Sequence, residues 1–546
     1  MKMKIEEIME KMTLREKIGQ TAIPAPPAVR NEVKNSGGYA EFFKKYPYGG
    51  FYVSSAGMVR NGGEPLEESH ELAEIVELTS RELKIPLFVA ADAEYGGGQL
   101  FAEMARIPSN MLVGAAHSAI LSYKRSYYWA KELRTAGINW VFGPVCDVLP
   151  DFLGALGTRT LSDDPGLIAE LIPHMFRGIK NAGMMSTAKH YPGGIGDYRD
   201  PHFSMCNNDI TMEEWNRVLR PVWEAAAGAG ADSFMVGHDA VPAMDDTYSR
   251  GRTLRPASAS SKVINILRES IGFDGVVVTD AVSMKSLAAA FDHEDMYIEC
   301  FNAGNDVILF CGNDYIDVME KAVEEGRVSM ARIDEAVERI LKAKKALGLF
   351  DGKILGEAMT KSDMEDFEKT RYEINKQGAT LLKNGDGRIP FDSSKVKKAA
   401  IIVIAPSENF RNNLIFLQEA FARYGVETQI VDAIKSKTVL KEISESCDLI
   451  MYACYISWTD PHGLPGFSQV REINTLFNSL SYGADKSVVV SFGSHTIYYN
   501  YFEGADAFIN MYGMDKESMD ACVDGLFGKF EFTGKSPVAL KPKRMK

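Results

Sequence analysis

No uninterrupted apolar run in the 546 residues reaches the ~18 that a bilayer-crossing helix needs, so no membrane span is expected. The seven cysteines, Cys146, Cys206, Cys300, Cys311, Cys447, Cys454 and Cys522, are odd in number, scattered and without a CxxC pair. They predict reduced, mostly buried thiols rather than a disulfide framework. The nine histidines show no HExxH or other metal-ligand spacing, and no metal is expected. Neither GxGxxG nor GxxxxGKS occurs after a strand-like run, so no nucleotide cofactor is expected either. Basic charge is in deficit: the formal net charge of −13 argues against nucleic acid as a partner. The charged, helix-patterned opening MKMKIEEIMEKMTLREKIGQ, with Leu14 and Ile18 among its apolar positions, lacks the apolar core of a signal peptide, and cytoplasmic residence is the expectation.

What is present is the composition of a globular protein, 45% hydrophobic and 25% charged, too long for a single core. Short apolar runs alternate with helical patterns through the first 310 residues: QTAIP (20–24), GGFYVSS (49–55), LFVAAD, NWVFGPVCD, MMSTAKH, DSFMVGH, GVVVTD and DVILF (306–310). Such alternation implies a parallel sheet with right-handed crossovers, and eight repeats over about 350 residues fit a (β/α)8 barrel, so the fold class is α/β. The helical stretch 331–350 closes this first domain, expected over 1–350. The polar segment 351–370 reads as a linker. A smaller doubly wound α/β sandwich domain is expected over 371–546, with strands at KAAIIVIA, ETQIVDA, DLIMYACY, SVVVSFG and AFINMYG.

Five of the early runs end in a charged or ionisable residue, at Asp92, Asp147, the pair Lys189 and His190, His238 and Asp280. In a barrel the loops after the strands build the active site, which makes each of these a candidate for chemistry. Asp280 is the sharpest case. It follows Val276, Val277 and Val278, β-branched and uninterrupted, in GFDGVVVTDAVSM (272–284). The competing reading is an Asp that caps the next helix.

The densest polar stretch is AKHYPGGIGDYRDPHFSM (188–205), whose prolines and glycines make it a loop. A bend at Pro201 lets Asp200 approach the imidazole of His202, fixing its tautomer and favouring its protonated form. Such a pair can protonate a leaving group and later take a proton from water. A solvated surface turn is the alternative reading of the same residues.

KHYPG followed by DPH resembles the KHFPGHG…DSH loop of glycoside hydrolase family 3 β-N-acetylglucosaminidases, with the spacing from Lys189 to His202 preserved. GFDGVVVTDAVSM resembles the family's nucleophile segment GFxGVVxSDDLxM. MTLREKIGQ (12–20), PLFVAADAE (86–94), GPVCDV with GTRTLSDDP (143–165) and ATLLKNGDGRIPF (379–391) follow in the family's order. The resemblance implies a retaining exo-glycosidase, a β-N-acetylhexosaminidase acting on a small carbohydrate. Asp280 would be the nucleophile and His202 the acid/base, oriented by Asp200. Asp92, Arg159, Lys189, His190, His238 and Met284 would bind the sugar. The second domain is expected either to cover the active face or to pair two copies in a homodimer.

This chain departs from the family in several places. Gly194-Ile195 replaces the HG of the loop, DAEYGGGQL (92–100) loses both arginines of DQEGGRVQR, and Ala281 replaces an acidic residue. Three further readings therefore stand beside the first. One is a β-glucosidase or β-xylosidase with a Glu acid from the second domain, although SWTDPHGLPGF (457–467) contains no Glu. Another is a glycoside phosphorylase, since an imidazole repels incoming phosphate less than a carboxylate does. The third is an inactive sugar-binding protein.

Overall fold

The computed structural model describes residues 4–54, 58–60, 63–149, 156–194, 199–251, 253–457, 466–467 and 469–542. The chain forms two compact units. One comprises Met1–Arg106, Ser122–Asp147 and Ile172–Met364, and the other Ile107–Leu121, Val148–Leu171 and Glu365–Lys546. Two stretches expected in the first domain, 107–121 and 148–171, thus belong to the second unit. The expected linker 351–370 carries the first turns of a helix, Lys361–Gly378.

In the first unit all eight expected strands are present: β1 Ala22–Pro24, β2 Gly50–Tyr52, β3 Phe88–Ala91, β4 Trp140–Val141, β5 Thr187–Tyr191, β6 Ser233–Val236, β7 Val276–Thr279 and β8 Ile308–Cys311. Every paired neighbour is parallel: β2 with β3, β3 with β4, β5 with β6, β6 with β7 and β8 with β1. Parallel bridges Trp140 to Met185 and Val145 to Lys189 join β4 to β5, and Val278 to Val307 joins β7 to β8. The Gly49 N–H donates to the Gly19 carbonyl at 2.8 Å beside the β1–β2 junction. The order of the strands is therefore that of a (β/α)8 barrel.

The triple valine of β7 shows how the sequence specifies this layer. Side chains alternate along a strand. Val276 and Val278 join Phe88, Ala90, Trp140 and Met235 in one buried cluster, whereas Val277 is buried outside it. Where the barrel sheet carries polar atoms they pair with one another: the Trp140 indole N–H donates to Thr187 Oγ1 at 2.8 Å and Ser233 Oγ at 3.1 Å.

The helical opening is broken in two. Thr13 accepts from the Glu16 N–H through Oγ1, and Glu16 accepts from the Thr13 N–H, so a capping box starts the helix Leu14–Gln20 afresh after Ile5–Met9.

The second unit holds a six-stranded sheet of β9 Thr380–Asn384, β10 Lys398–Ile404, β11 Glu427–Val431, β12 Leu449–Cys454, β13 Ser487–Ser491 and β14 Ala507–Asn510, ordered β9-β14-β13-β12-β10-β11. All neighbours are parallel except β9, which is antiparallel to β14. Period-two burial explains the two covered faces. Ala399, Ile401 and Val403 belong to one core cluster, Ala400, Ile402 and Ile404 to the other.

Lys344, on the helix Met330–Ala346, is fully buried in the first unit. Its ammonium donates to Gln20 Oε1 at 2.6 Å and the Gly49 carbonyl at 2.8 Å, and lies 4.9 Å from the centre of the Phe88 ring. Burial pushes its pKa well below the ordinary lysine range. The unfolded chain therefore binds a proton there more tightly than the folded chain does. The stability of the wild type relative to Lys344→Met should rise with pH up to the ordinary lysine value near ~10.4. Urea denaturation of both proteins from neutral to alkaline pH measures this, and a difference that stays flat or shrinks contradicts it.

Candidate active site

The expected polar tips stand at the end of β5 and in the segments that follow β3, β4, β6 and β7, and hydrogen bonds tie Lys189 to Asp92 and His190 to Asp147. After β3, Asp92 accepts from the Tyr52 hydroxyl at 2.6 Å and from Lys189 Nζ at 2.7 Å. Lys189 also meets Glu94 Oε1 at 2.6 Å, and its side chain is 2% exposed. An ammonium this buried needs ion pairing, and two carboxylates supply it.

After β4, Asp147 is buried, and its Oδ2 accepts from both the backbone N–H of His190 at 2.9 Å and His190 Nδ1 at 2.7 Å. That pair of bonds sets the imidazole with Nε2 as the nitrogen not engaged by Asp147. The Cys146 N–H donates to the Lys189 carbonyl at 2.6 Å, so the two strand ends are also locked through the backbone.

Past His190 the chain leaves the strand under a clamp. The indole N–H groups of Trp215 and Trp223 both donate to the Pro192 carbonyl at 2.9 Å, and Asn208 Nδ2 donates to the Gly193 carbonyl at 2.7 Å. Gly193 has φ +81°, and a Cβ there would stand 2.6 Å from the Trp223 ring, so only glycine fits.

Further along the loop, Asp200 Oδ1 accepts from the His202 backbone N–H at 2.9 Å and from its Nδ1 at 2.6 Å. The Asp200 side chain is 10% exposed and the imidazole 44%. The carboxylate is sheltered while the ring reaches solvent. The Lys285 N–H donates to the His202 carbonyl at 3.3 Å, which ties this turn to the segment after β7. Ile195 lies outside the described residues.

Asp280 follows β7. Its backbone N–H donates to the Val236 carbonyl at 2.9 Å, and its Oδ1 accepts from the Ala281 N–H at 2.7 Å. Burial acts to raise the carboxyl pKa. The fields of His190 and His238, the Ala281 N–H and the field of His202 outweigh it, leaving the pKa below the ordinary aspartate value. The group is an anion at neutral pH.

Two expected sugar contacts look different in place. His238 is 2% exposed; its Nδ1 bonds Ser258 Oγ at 2.7 Å and its Nε2 the Ala281 carbonyl at 3.0 Å. Both ring nitrogens have partners in the protein, and the Ala281 carbonyl that meets Nε2 adjoins Asp280. Burial lowers the His238 pKa, against the opposing field of Asp280. Met284 is 4% exposed and caps the helix Lys285–Ala290, with its N–H on the Ala281 carbonyl at 3.0 Å. Arg159 belongs to the second unit, on the turn Gly157–Arg159, where its carbonyl accepts from Asn110 Nδ2 at 2.7 Å.

Tyr52 and Glu94 were not anticipated as site residues, and Asp147 was a candidate with no role assigned. Asp147 carried a signal, an acid at the end of an apolar run, and Glu94 stands two residues after Asp92. For Tyr52 the sequence offers none.

A parallel barrel that presents a buried lysine, several carboxylates and two imidazoles at its strand ends, with a third imidazole on the loop that follows one of them, is the frame of a TIM-barrel enzyme. The model of the glycosyl hydrolase family 3 N-terminal domain matches residues 13–343, and the chain belongs to that family of glycoside hydrolases. A Cellulomonas fimi protein named β-N-acetylglucosaminidase/β-glucosidase is 28% identical over 494 residues, covering 83% of this chain and 84% of its own. A Chromobacterium violaceum β-hexosaminidase is 31% identical over 253 residues, covering 44% of this chain and 69% of its own.

Among solved structures, β-glucoside phosphorylase BglX matches with a TM-score of 0.83 at 20% identity, covering 98% of this chain and 95% of its own. A family 3 β-N-acetylglucosaminidase from Paenibacillus sp. str. FPU-7 matches with a TM-score of 0.79 at 23% identity, covering 97% and 100%. These two likenesses establish the fold: a TIM-type barrel followed by an α/β sandwich. Among the described residues no helix is long and apolar enough to cross a membrane.

Proposed function

We propose that the protein is a retaining exo-acting β-N-acetylglucosaminidase. The observation that carries this reading is the 2.6 Å bond between Asp200 and His202, on a turn whose imidazole lies within the electrostatic reach of the Asp280 carboxylate. In the first step Asp280 attacks the anomeric carbon as His202 Nε2–H gives its proton to the departing oxygen, while Asp200 holds Nδ1–H. In the second, neutral His202 takes a proton from water as the water attacks the glycosyl-enzyme, which frees Asp280.

The remaining groups grip the sugar. Asp92, held by Tyr52 and Lys189, presents a fixed carboxylate to vicinal hydroxyls, Lys189 donates to another, and the Nε2 of His190, whose Nδ1–H is held by Asp147, accepts from a further one. Met284 shapes the floor. The acetamido preference rests on the KHYPG…DPH loop and on the named activities of the Cellulomonas and Chromobacterium relatives.

A second reading, phosphorolysis, is favoured by one feature: after protonating the leaving group His202 is neutral and does not repel a phosphate dianion as a carboxylate would. The alternative of a glucosidase acid from the loop 457–467 concerns residues 458–465, which lie outside the described set.

A panel of p-nitrophenyl glycosides assayed with and without phosphate, on the wild type and His202→Ala, tests the proposal. The N-acetylglucosaminide should have the higher kcat/KM, and phosphate should leave the products unchanged. His202→Ala should slow alkyl glycosides at least ~10²-fold more than p-nitrophenyl ones, because only poor leaving groups need protonation. Azide should partly restore the variant by replacing the water that the base activates. A clear preference for glucoside or xyloside overturns the substrate, accumulation of a sugar 1-phosphate overturns hydrolysis, and equal losses on both leaving groups overturn the acid.

A further inference from the structure

Phe203 follows the dyad histidine directly, and its ring is 62% exposed. An isolated exposed apolar side chain is ordinary on a protein surface, so exposure alone says little. Its setting says more. The Phe203 and Ser204 N–H groups both donate to the Asp200 carbonyl at 3.1 Å, closing the same turn that Asp200 Oδ1 caps on His202. Cys206 Sγ reaches the Arg199 carbonyl at 3.6 Å across the base of this turn, and the Asn208 N–H donates to the Ala240 carbonyl at 2.8 Å, pinning the segment to the loop after β6. The Phe203 backbone is therefore held by the structure that positions His202. Its ring centre lies 6.4 Å from that of the imidazole, tilted by 49°.

A general acid acts on the oxygen that joins the cleaved sugar to its leaving group. Whatever the leaving group is, its first atoms lie beside His202, and a pyranose ring is large enough to extend from there over an aromatic ring at the observed spacing. The C–H face of a sugar is apolar and its rim polar, which suits an aromatic face that has water around its edge. We infer that Phe203 is the platform of the leaving-group subsite, stacking on a sugar ring immediately beyond the cleaved bond. The protein is on this account selective for saccharide rather than simple alkyl leaving groups. This rests on the proposed role of His202 as acid.

The test compares a disaccharide, N-acetylglucosamine β-linked to a second sugar, with methyl N-acetyl-β-glucosaminide. Both need protonation of a poor leaving group, and only the disaccharide has a ring to stack. Phe203→Ala should lower the ratio of kcat/KM for disaccharide over methyl glycoside about tenfold, and Phe203→Tyr, which keeps the ring, should restore it to within about threefold. A ratio unchanged in Phe203→Ala overturns the platform, as does an equal loss on both substrates, which would mean that the ring serves only to place His202.

The outcome is separable from the proposed sugar specificity. If the wild type cleaves glucosides rather than N-acetylglucosaminides, that specificity fails and the same ratio on the glucoside pair decides the case of Phe203. If His202→Ala shows no dependence on the leaving group, the acid fails and this inference fails with it.

Discussion

A carboxylate at the end of a buried strand must stay ionised, and much of the barrel mouth follows from that constraint. Burial opposes the charge on Asp280. Imidazoles and a backbone N–H supply the compensation. His238, bonded to Ser258 Oγ and the Ala281 carbonyl, holds the local backbone. The fixed cation of the site, Lys189, is paired with Asp92 and Glu94.

The site divides into a rigid half and an open half. Asp92, Glu94, Asp147, Lys189 and His190 are locked pairwise at adjacent strand ends, a geometry suited to measuring one sugar ring by its hydroxyls. The Asp200–His202 turn stands on a loop whose root is clamped by two tryptophans and whose imidazole meets solvent. In the proposed mechanism an imidazole open to solvent would reach both the leaving group and, after the first step, the incoming water. A loop anchored at its root and open at its tip meets both needs.

The sequence made the strand tips legible because an ionisable residue after an uninterrupted β-branched run has few structural excuses, and Asp280 after three valines is the clearest instance. The dyad was legible as spacing, since two residues with an intervening proline can close only a short turn. Tertiary choices were less accessible. His238 has the same signature as His190, an imidazole at a strand end, and only the position of Ser258, 20 residues on, decides that its nitrogens are occupied. Segments 107–121 and 148–171 carry no compositional mark of their allegiance to the second unit. The antiparallel strand Thr380–Asn384 hid within a segment recognised only as the opening of that domain, because edge strands of five residues lack a long pattern. In the helical opening, the Thr13–Glu16 capping box was present in the sequence, and its power to start a new helix was outweighed by the continuous charged pattern around it.

The central claim is a covalent bond between the sugar and Asp280. Incubation with 5-fluoro-N-acetylglucosaminyl fluoride, which slows the breakdown of a glycosyl-enzyme, followed by proteolysis and mass spectrometry, tests it directly. The account predicts one added sugar mass on the peptide containing residues 272–284, localised to Asp280 and absent from Asp280→Ala. Inactivation with no labelled peptide, or label on another carboxylate, would contradict it.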